Sequence, residues 1–77
     1  MAKIEKKIST KFFDDVNIGT KNFELRRDED NVQVGDYIIL KEWNGKEFTG
    51  RKCTKRVKYI LREYEGLEDG YCIYGVE

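Results

Sequence analysis

The chain has 77 residues, with 15 Lys and Arg against 15 Asp and Glu, no His, no Pro, 7 Gly and 2 Cys, which bounds it to one small domain over residues 1–77. The missing histidines remove the commonest general base and metal ligand, and a net charge of zero argues against nucleic-acid binding by bulk attraction alone. The longest apolar run, Tyr37 to Leu40, falls far short of the roughly 20 residues of a membrane helix, and Met1 to Lys7 is charged where a secretory signal is apolar, so a cytoplasmic location is expected.

Residues 3–8 read as a first strand, edge-like because of Glu5, Lys6 and Lys7. Ser9 or Thr10 then caps a short helix with Phe12, Phe13 and Val16 on one side, stopping at Gly19. Lys21 to Arg27 alternates, which predicts a half-buried strand with Phe23 and Leu25 toward the core and Asn22, Glu24 and Arg26 away from it. Asp28-Glu29-Asp30 and Asn31 make a turn, and Val32-Gln33-Val34 leads into Gly35-Asp36. Tyr37 to Trp43 is apolar enough to be a central strand. Asn44-Gly45 is the strongest hairpin signal and predicts a type I′ turn, with both residues at positive φ. Phe48 and the Thr49-Gly50-Arg51 bend open a long return strand, Lys52 to Leu61, and a loop through Gly66 and Gly70 leads to a last strand, Tyr71 to Val76.

Five or six strands with one N-terminal helix imply a mainly β (α+β) domain, most economically a small closed or half-open β-barrel. Cys53 and Cys72 stand 19 apart without a CxxC pairing and read as reduced, packed thiols, so no metal site and no cofactor is implied. Of Trp43 and the tyrosines Tyr37, Tyr59, Tyr64, Tyr71 and Tyr74, roughly two thirds are expected to pack inward. Trp43 is then the best exposed candidate for base stacking.

Charge is distributed unevenly. Arg51, Lys52, Lys55, Arg56, Lys58 and Arg62 fall in twelve positions without an acid, while acids gather at residues 28–30 and again at Glu63, Glu65, Glu68 and Asp69. One reading is a basic face for phosphate; the other is a solvated face serving solubility.

The segment Gly19-Thr20-Lys21-Asn22-Phe23-Glu24-Leu25-Arg26 fits G-x-K-x-x-E-x-R and resembles the signature of ASCH domains, members of the PUA-like superfamily of small β-barrels associated with RNA. Gly35-Asp36, Glu42-Trp43, Thr49-Gly50-Arg51 and Val57-Lys58-Tyr59-Ile60 extend the likeness over most of residues 10–76. They resemble most a short bacterial and phage branch catalogued as a domain of unknown function, of the DUF3850 type. The resemblance implies a nucleic-acid-binding module, directed at RNA, with a charged nucleotide cleft.

The residues that would carry this are Lys21 as a point charge, Glu24, and Arg26 and Arg51 as guanidinium forks for phosphate or a base edge. Trp43, Thr49, Lys52, Arg56 and Lys58 complete the candidate surface. The bland alternative is that Glu24 and Arg26 pair with each other and with Arg51 as struts between strands. Gly50 would then simply permit a bulge, with Arg51 solvated.

A second class is a metal-independent amidohydrolase acting on an acylated nucleoside, which some ASCH-like proteins are. Lys21 matches the lysine of that group, but Glu24 stands where those hydrolases carry Thr, which leaves no assigned nucleophile beyond Thr20 or Thr49 as substitutes. Lys21 and Glu24 are the catalytic candidates under that alternative alone, and the chain reads more readily as a binder than as an enzyme. A third class is a protein-interaction domain of a phage or mobile element, docking through residues 28–30 and the basic strand. The expected partner is RNA or a nucleotide, with no membrane, and the expected state is a monomer.

Overall fold

A computed structural model describes residues 1–77. Its elements are β1 (Lys3–Ser9), α1 (Thr10–Asn17), β2 (Phe23–Arg27), β3 (Tyr37–Trp43), β4 (Phe48–Arg62) and β5 (Tyr71–Val76). The strands form one sheet in the order β1-β3-β4-β5-β2. β1 runs parallel to β3, and every other neighbouring pair is antiparallel.

The long β4 organises the sheet. Its first part pairs with β3 and its last part with β5, and Lys58 is the extra residue where Val57 pairs with Val76 but Tyr59 with Gly75. Such a bulge bends and twists a strand. The two outermost strands, β1 and β2, thereby come close to each other without pairing.

Of the closed or half-open barrel that was expected, the closed form is not made. No backbone ladder joins β1 to β2, and side chains span the seam instead: Arg26 Nη1 donates to the Lys7 carbonyl at 2.7 Å, and Lys6 Nζ meets Asp30 at 2.8 Å. No helix is long and apolar enough to cross a membrane.

α1 starts where expected. Ser9 is its N-cap and its hydroxyl accepts from Lys11 N at 3.2 Å, which satisfies one of the free amides of the first turn. Gly19, at φ +90°, ends it by donating to Val16 O at 3.2 Å. Phe13 and Val16 are buried, contributing about 1.5–3 kcal/mol each by removal from water. With Ile8, Val32, Ile38, Leu40, Cys53, Val57, Cys72, Tyr74 and Val76 they make the core. Cys53 and Cys72 are buried free thiols, and burial pushes both above the usual thiol range.

Three expectations need correction. The face of β2 is inverted: Phe23 and Leu25 are 49% and 57% exposed, while Glu24 is 4% exposed. The cause is the register with β5, where Glu24 lies opposite Tyr74 and Arg26 opposite Cys72. Directly opposed residues share a face, and Cys72, Tyr74 and Val76 are committed to the core, so β2 must present its charges inward.

The hairpin at Asn44-Gly45 exists, but the turn is not type I′. Only Gly45 has positive φ; the loop runs over residues 44–47, with Asn44 Oδ1 accepting from Lys46 N at 2.9 Å and Glu47 N at 3.0 Å. An Asx-type cap has replaced the backbone twist of a two-residue turn.

The aromatic residues are less buried than expected. Of Trp43 and the tyrosines only Tyr74 is fully buried, Tyr37, Trp43 and Tyr71 are half-buried, and Tyr59 and Tyr64 are 63% and 62% exposed. β-branched and aliphatic residues from β3, β4 and β5 fill the small interior first.

Candidate functional site

Two buried carboxylates organise the polar chemistry, and they lie in separate places. The first is Glu24 on β2. Its Oε1 accepts from Lys21 Nζ at 2.9 Å and its Oε2 lies 3.2 Å from Arg26 Nη2, with side-chain exposures of 6%, 17% and 21% for Glu24, Lys21 and Arg26. Lys21 Nζ also donates to the Phe23 carbonyl at 2.7 Å. Arg26 Nη1 is held by Lys7 O, while its Nε is buried without a hydrogen-bond partner.

This triad forms the floor of a pocket of about 500 Å³ in the seam between β1 and β2. Lys7, Ile8 and Ser9 form one wall, and Phe12 from α1 with Phe23 and Leu25 from β2 form apolar lips. Lys21 Nζ lies 5.3 Å from the Phe12 ring centroid and 4.8 Å from that of Phe23, within cation–π range of both. The inverted face of β2 creates the site, because it sends Glu24 and Arg26 to the floor and leaves Phe23 and Leu25 outside as lips.

The second carboxylate is Glu42 on β3, 2% exposed. Opposite it β4 carries the three residues Thr49, Gly50 and Arg51 between the pairs Lys41–Lys52 and Trp43–Phe48. Gly50 adopts φ +96° at this bulge, a conformation that costs other residues about 1–2 kcal/mol. Thr49 Oγ1 donates to Glu42 Oε1 at 2.6 Å, and Arg51 grips both oxygens, Nε to Oε1 at 2.8 Å and Nη2 to Oε2 at 2.9 Å. Arg51 also reaches Asp14 at 3.1 Å and stacks its guanidinium 4.5 Å above the Phe13 ring centroid.

The Arg51 fork, helped by the Thr49 hydroxyl, holds the Glu42 carboxyl down at about 2. The same bonds hold Arg51 still more firmly charged.

The candidate residues named from the sequence therefore separate. Lys21, Glu24 and Arg26 converge on the seam pocket; Thr49 and Arg51 stand at Glu42 and do not line it. The strut reading is correct in that Glu24 and Arg26 pair, but Arg51 joins Glu42 instead, and the bulge at Gly50 directs its guanidinium onto Glu42 while half of the side chain stays in solvent.

The basic stretch is not one face. Arg56 pairs with Glu77 at 2.6 Å and Arg62 with Asp28 at 2.5 Å, and Lys55 donates to Asn17 O at 3.4 Å. Lys58, Lys55 and Lys21 border a second depression of about 230 Å³, while Lys52 is exposed on the other side of the sheet, beside Lys41. Trp43 packs edge-on against Phe48, centroids 5.0 Å apart, with Lys7 Nζ 4.7 Å from its ring centroid.

Lys7, Phe12 and Glu42 are the residues that sequence reasoning missed. A signal for Glu42 was available: Ile38, Leu40 and Glu42 alternate on one strand, so a buried Ile38 and Leu40 place a carboxylate inside that must find a cation. Lys7 and Phe12 carry no such signal, since the pocket arises only when the sheet edges meet. The hydroxyls considered as nucleophiles do not gather either, because Thr49 is bonded to Glu42 and Thr20 does not line the pocket. Nor do three or more His, Cys, Asp or Glu side chains cluster as a metal site would need.

Comparison with known proteins gives a family and one phage relative. An uncharacterized 12.9 kDa protein in the GpA 3' region of Escherichia phage P2 is 43% identical over 70 residues, covering 90% of this chain and 64% of the phage protein, so the chain spans less than two thirds of that relative. Residues 4–76, which include every residue that lines the seam pocket, match the family described as "Domain of unknown function (DUF3850)", and the chain belongs to that family.

Proposed function

We propose that the chain is a small nucleic-acid-binding module, directed at RNA, that takes one unpaired nucleotide into the seam pocket. The observation that carries the reading is the pairing of apolar lips, Phe12, Phe23 and Leu25, with a charged floor in which Lys21 and Arg26 oppose the single carboxylate of Glu24. A site with excess positive charge and aromatic walls suits a ligand that is itself a flat ring joined to an anion.

The volume, about 500 Å³, lies within the range of small-molecule pockets. In this reading the base stacks on Phe23 or Phe12, Lys21 meets the phosphate, and Arg26 with Glu24 reads a base edge. The likeness of Gly19 to Arg26 to the ASCH signature supports it, since Lys21, Glu24 and Arg26 are the motif's charged residues. PUA-like ancestry is the finer placement that goes with this proposal.

Calorimetric titration with the four ribonucleoside monophosphates tests it. Saturable binding is expected, weakened at least about tenfold by Arg26→Gln and by Phe23→Ala. No heat with any nucleotide, or equal affinity in both variants, would overturn it. Release of acetate from an acetylated cytidine, abolished by Lys21→Ala, would replace it with the hydrolase reading.

A further inference from the structure

The outer face of β1, β3 and β4 carries a feature that the pocket does not use. Lys7 is the cross-strand partner of Lys41, and Lys41 is the partner of Lys52, so three lysines stand in one row across three strands. Two strand spacings make the row about 10 Å wide. Like charges directly opposed across a ladder are destabilising, and a chain with 15 acids had the means to neutralise them. The row's single carboxylate contact is Glu5, 3.5 Å from Lys41 Nζ.

The next row toward the hairpin is Ser9, Trp43 and Phe48. Lys7 Nζ lies 4.7 Å from the Trp43 centroid and Lys41 Nζ 4.9 Å from that of Phe48, so the rings fix two of the ammonium groups in place. Phe48 remains 47% exposed at the end of the row. Lys7 also lines the seam pocket, which makes the row and the pocket one continuous surface.

We infer that this lysine row is the track for the phosphate backbone of a single-stranded nucleic acid whose unpaired nucleotide enters the pocket, an inference that rests on the pocket reading above. Charge complementarity selects a polyanion. The adjoining aromatic row and the continuity through Lys7 select one that carries bases, and a strand already unpaired at the pocket arrives single-stranded on the row.

The test uses the single tryptophan, Trp43, as reporter. Its fluorescence is titrated with uridine monophosphate and with a hexauridylate, at several salt concentrations, in the wild type, in Lys41→Gln/Lys52→Gln and in Arg26→Gln. Each variant's melting curve confirms that it is folded. The hexauridylate is expected to bind at least about tenfold more tightly than the monophosphate, and the double variant to lower its log–log salt slope by about 1.4, or about 0.7 for each phosphate contact on a single strand.

Equal affinity for monomer and hexamer, or a wild-type salt slope in the double variant, would overturn the track. Lysine-dependent hexamer binding that ignores Arg26→Gln, with no monophosphate binding, would uphold the track and overturn the pocket. A lysine-dependent response to poly-glutamate or to phosphatidylserine vesicles, with none to hexauridylate, would overturn the track and assign the face to that other polyanion.

Discussion

Glu24 and Glu42 are a natural pair of controls for one another. Both are carboxylates on the inner face of a strand, and both are gripped by an arginine and one further donor. Around Glu42 the carboxyl oxygens are closed off: Thr49 and the bidentate Arg51 bind them, and Arg51 Nη1 goes on to Asp14. Around Glu24 they are not. Arg26 Nε has no partner, and the triad floors an open pocket with aromatic lips. A carboxylate enclosed by its own partners fastens strands, whereas one on the floor of an open cavity is within reach of a ligand.

Substitution should separate the two roles. Glu42→Ala is expected to have the largest effect, because it removes the buried carboxylate that ties β3 to Thr49 and Arg51 of β4; the melting temperature should fall by about 10 °C, read by circular dichroism. Nucleotide binding by whatever remains folded should be little altered. Gly50→Ala is expected next, at about 1–2 kcal/mol of lost stability in urea unfolding, since Ala at φ +96° resists the bulge that aims Arg51. A wild-type melting point in either variant would remove the distinction between the clusters.

Acid should weaken the Glu42 cluster. Its carboxyl is held at about 2 against an ordinary 4.5, so the folded state binds fewer protons there than the unfolded chain. The stabilisation is complete above about pH 4.5 and is lost as pH falls toward about 2. Asp36, held low by the amides of Gln33 and Ala2, adds in the same direction. A melting series from neutral to acid pH should show this decline in the wild type and a shallower one in Arg51→Gln. Equal slopes would contradict the assignment.

The smallest stability effect is expected at the lips. Phe23→Ser and Leu25→Thr should each change unfolding free energy by no more than about 1 kcal/mol, since about half of each side chain is already in water. Had they been core residues, as alternation alone suggests, each would cost several times more.

That contrast also marks how far the sequence could be read. The helix between Ser9 and Gly19, the strands ending at Trp43 and Val76, and the hairpin at Gly45 were legible because capping, alternation and turn chemistry are local. The inversion of β2 was not, because Phe23 and Leu25 present a regular apolar alternation and only the register with Tyr74 and Cys72, some fifty residues away, decides which side is buried. Lys21, Glu24 and Arg26 were legible as a charged motif, yet their pocket depends on the bend at Lys58 that draws β1 and β2 together. The burial of Glu42 was legible from its alternation with Ile38 and Leu40, but its pairing with Arg51 was not, because the three-residue bulge that sets Arg51 opposite Glu42 is decided only by the register of β3 with β4.

The division between the two carboxylates is tested most directly by an amide NMR titration of the labelled protein with a ribonucleotide. Shifts concentrated at Phe12, Lys21, Phe23, Glu24 and Arg26, with Glu42, Thr49 and Arg51 unmoved, are the predicted result. Shifts centred on Glu42, Thr49 and Arg51, or none anywhere, would contradict it and leave the seam as a contact between sheet edges alone.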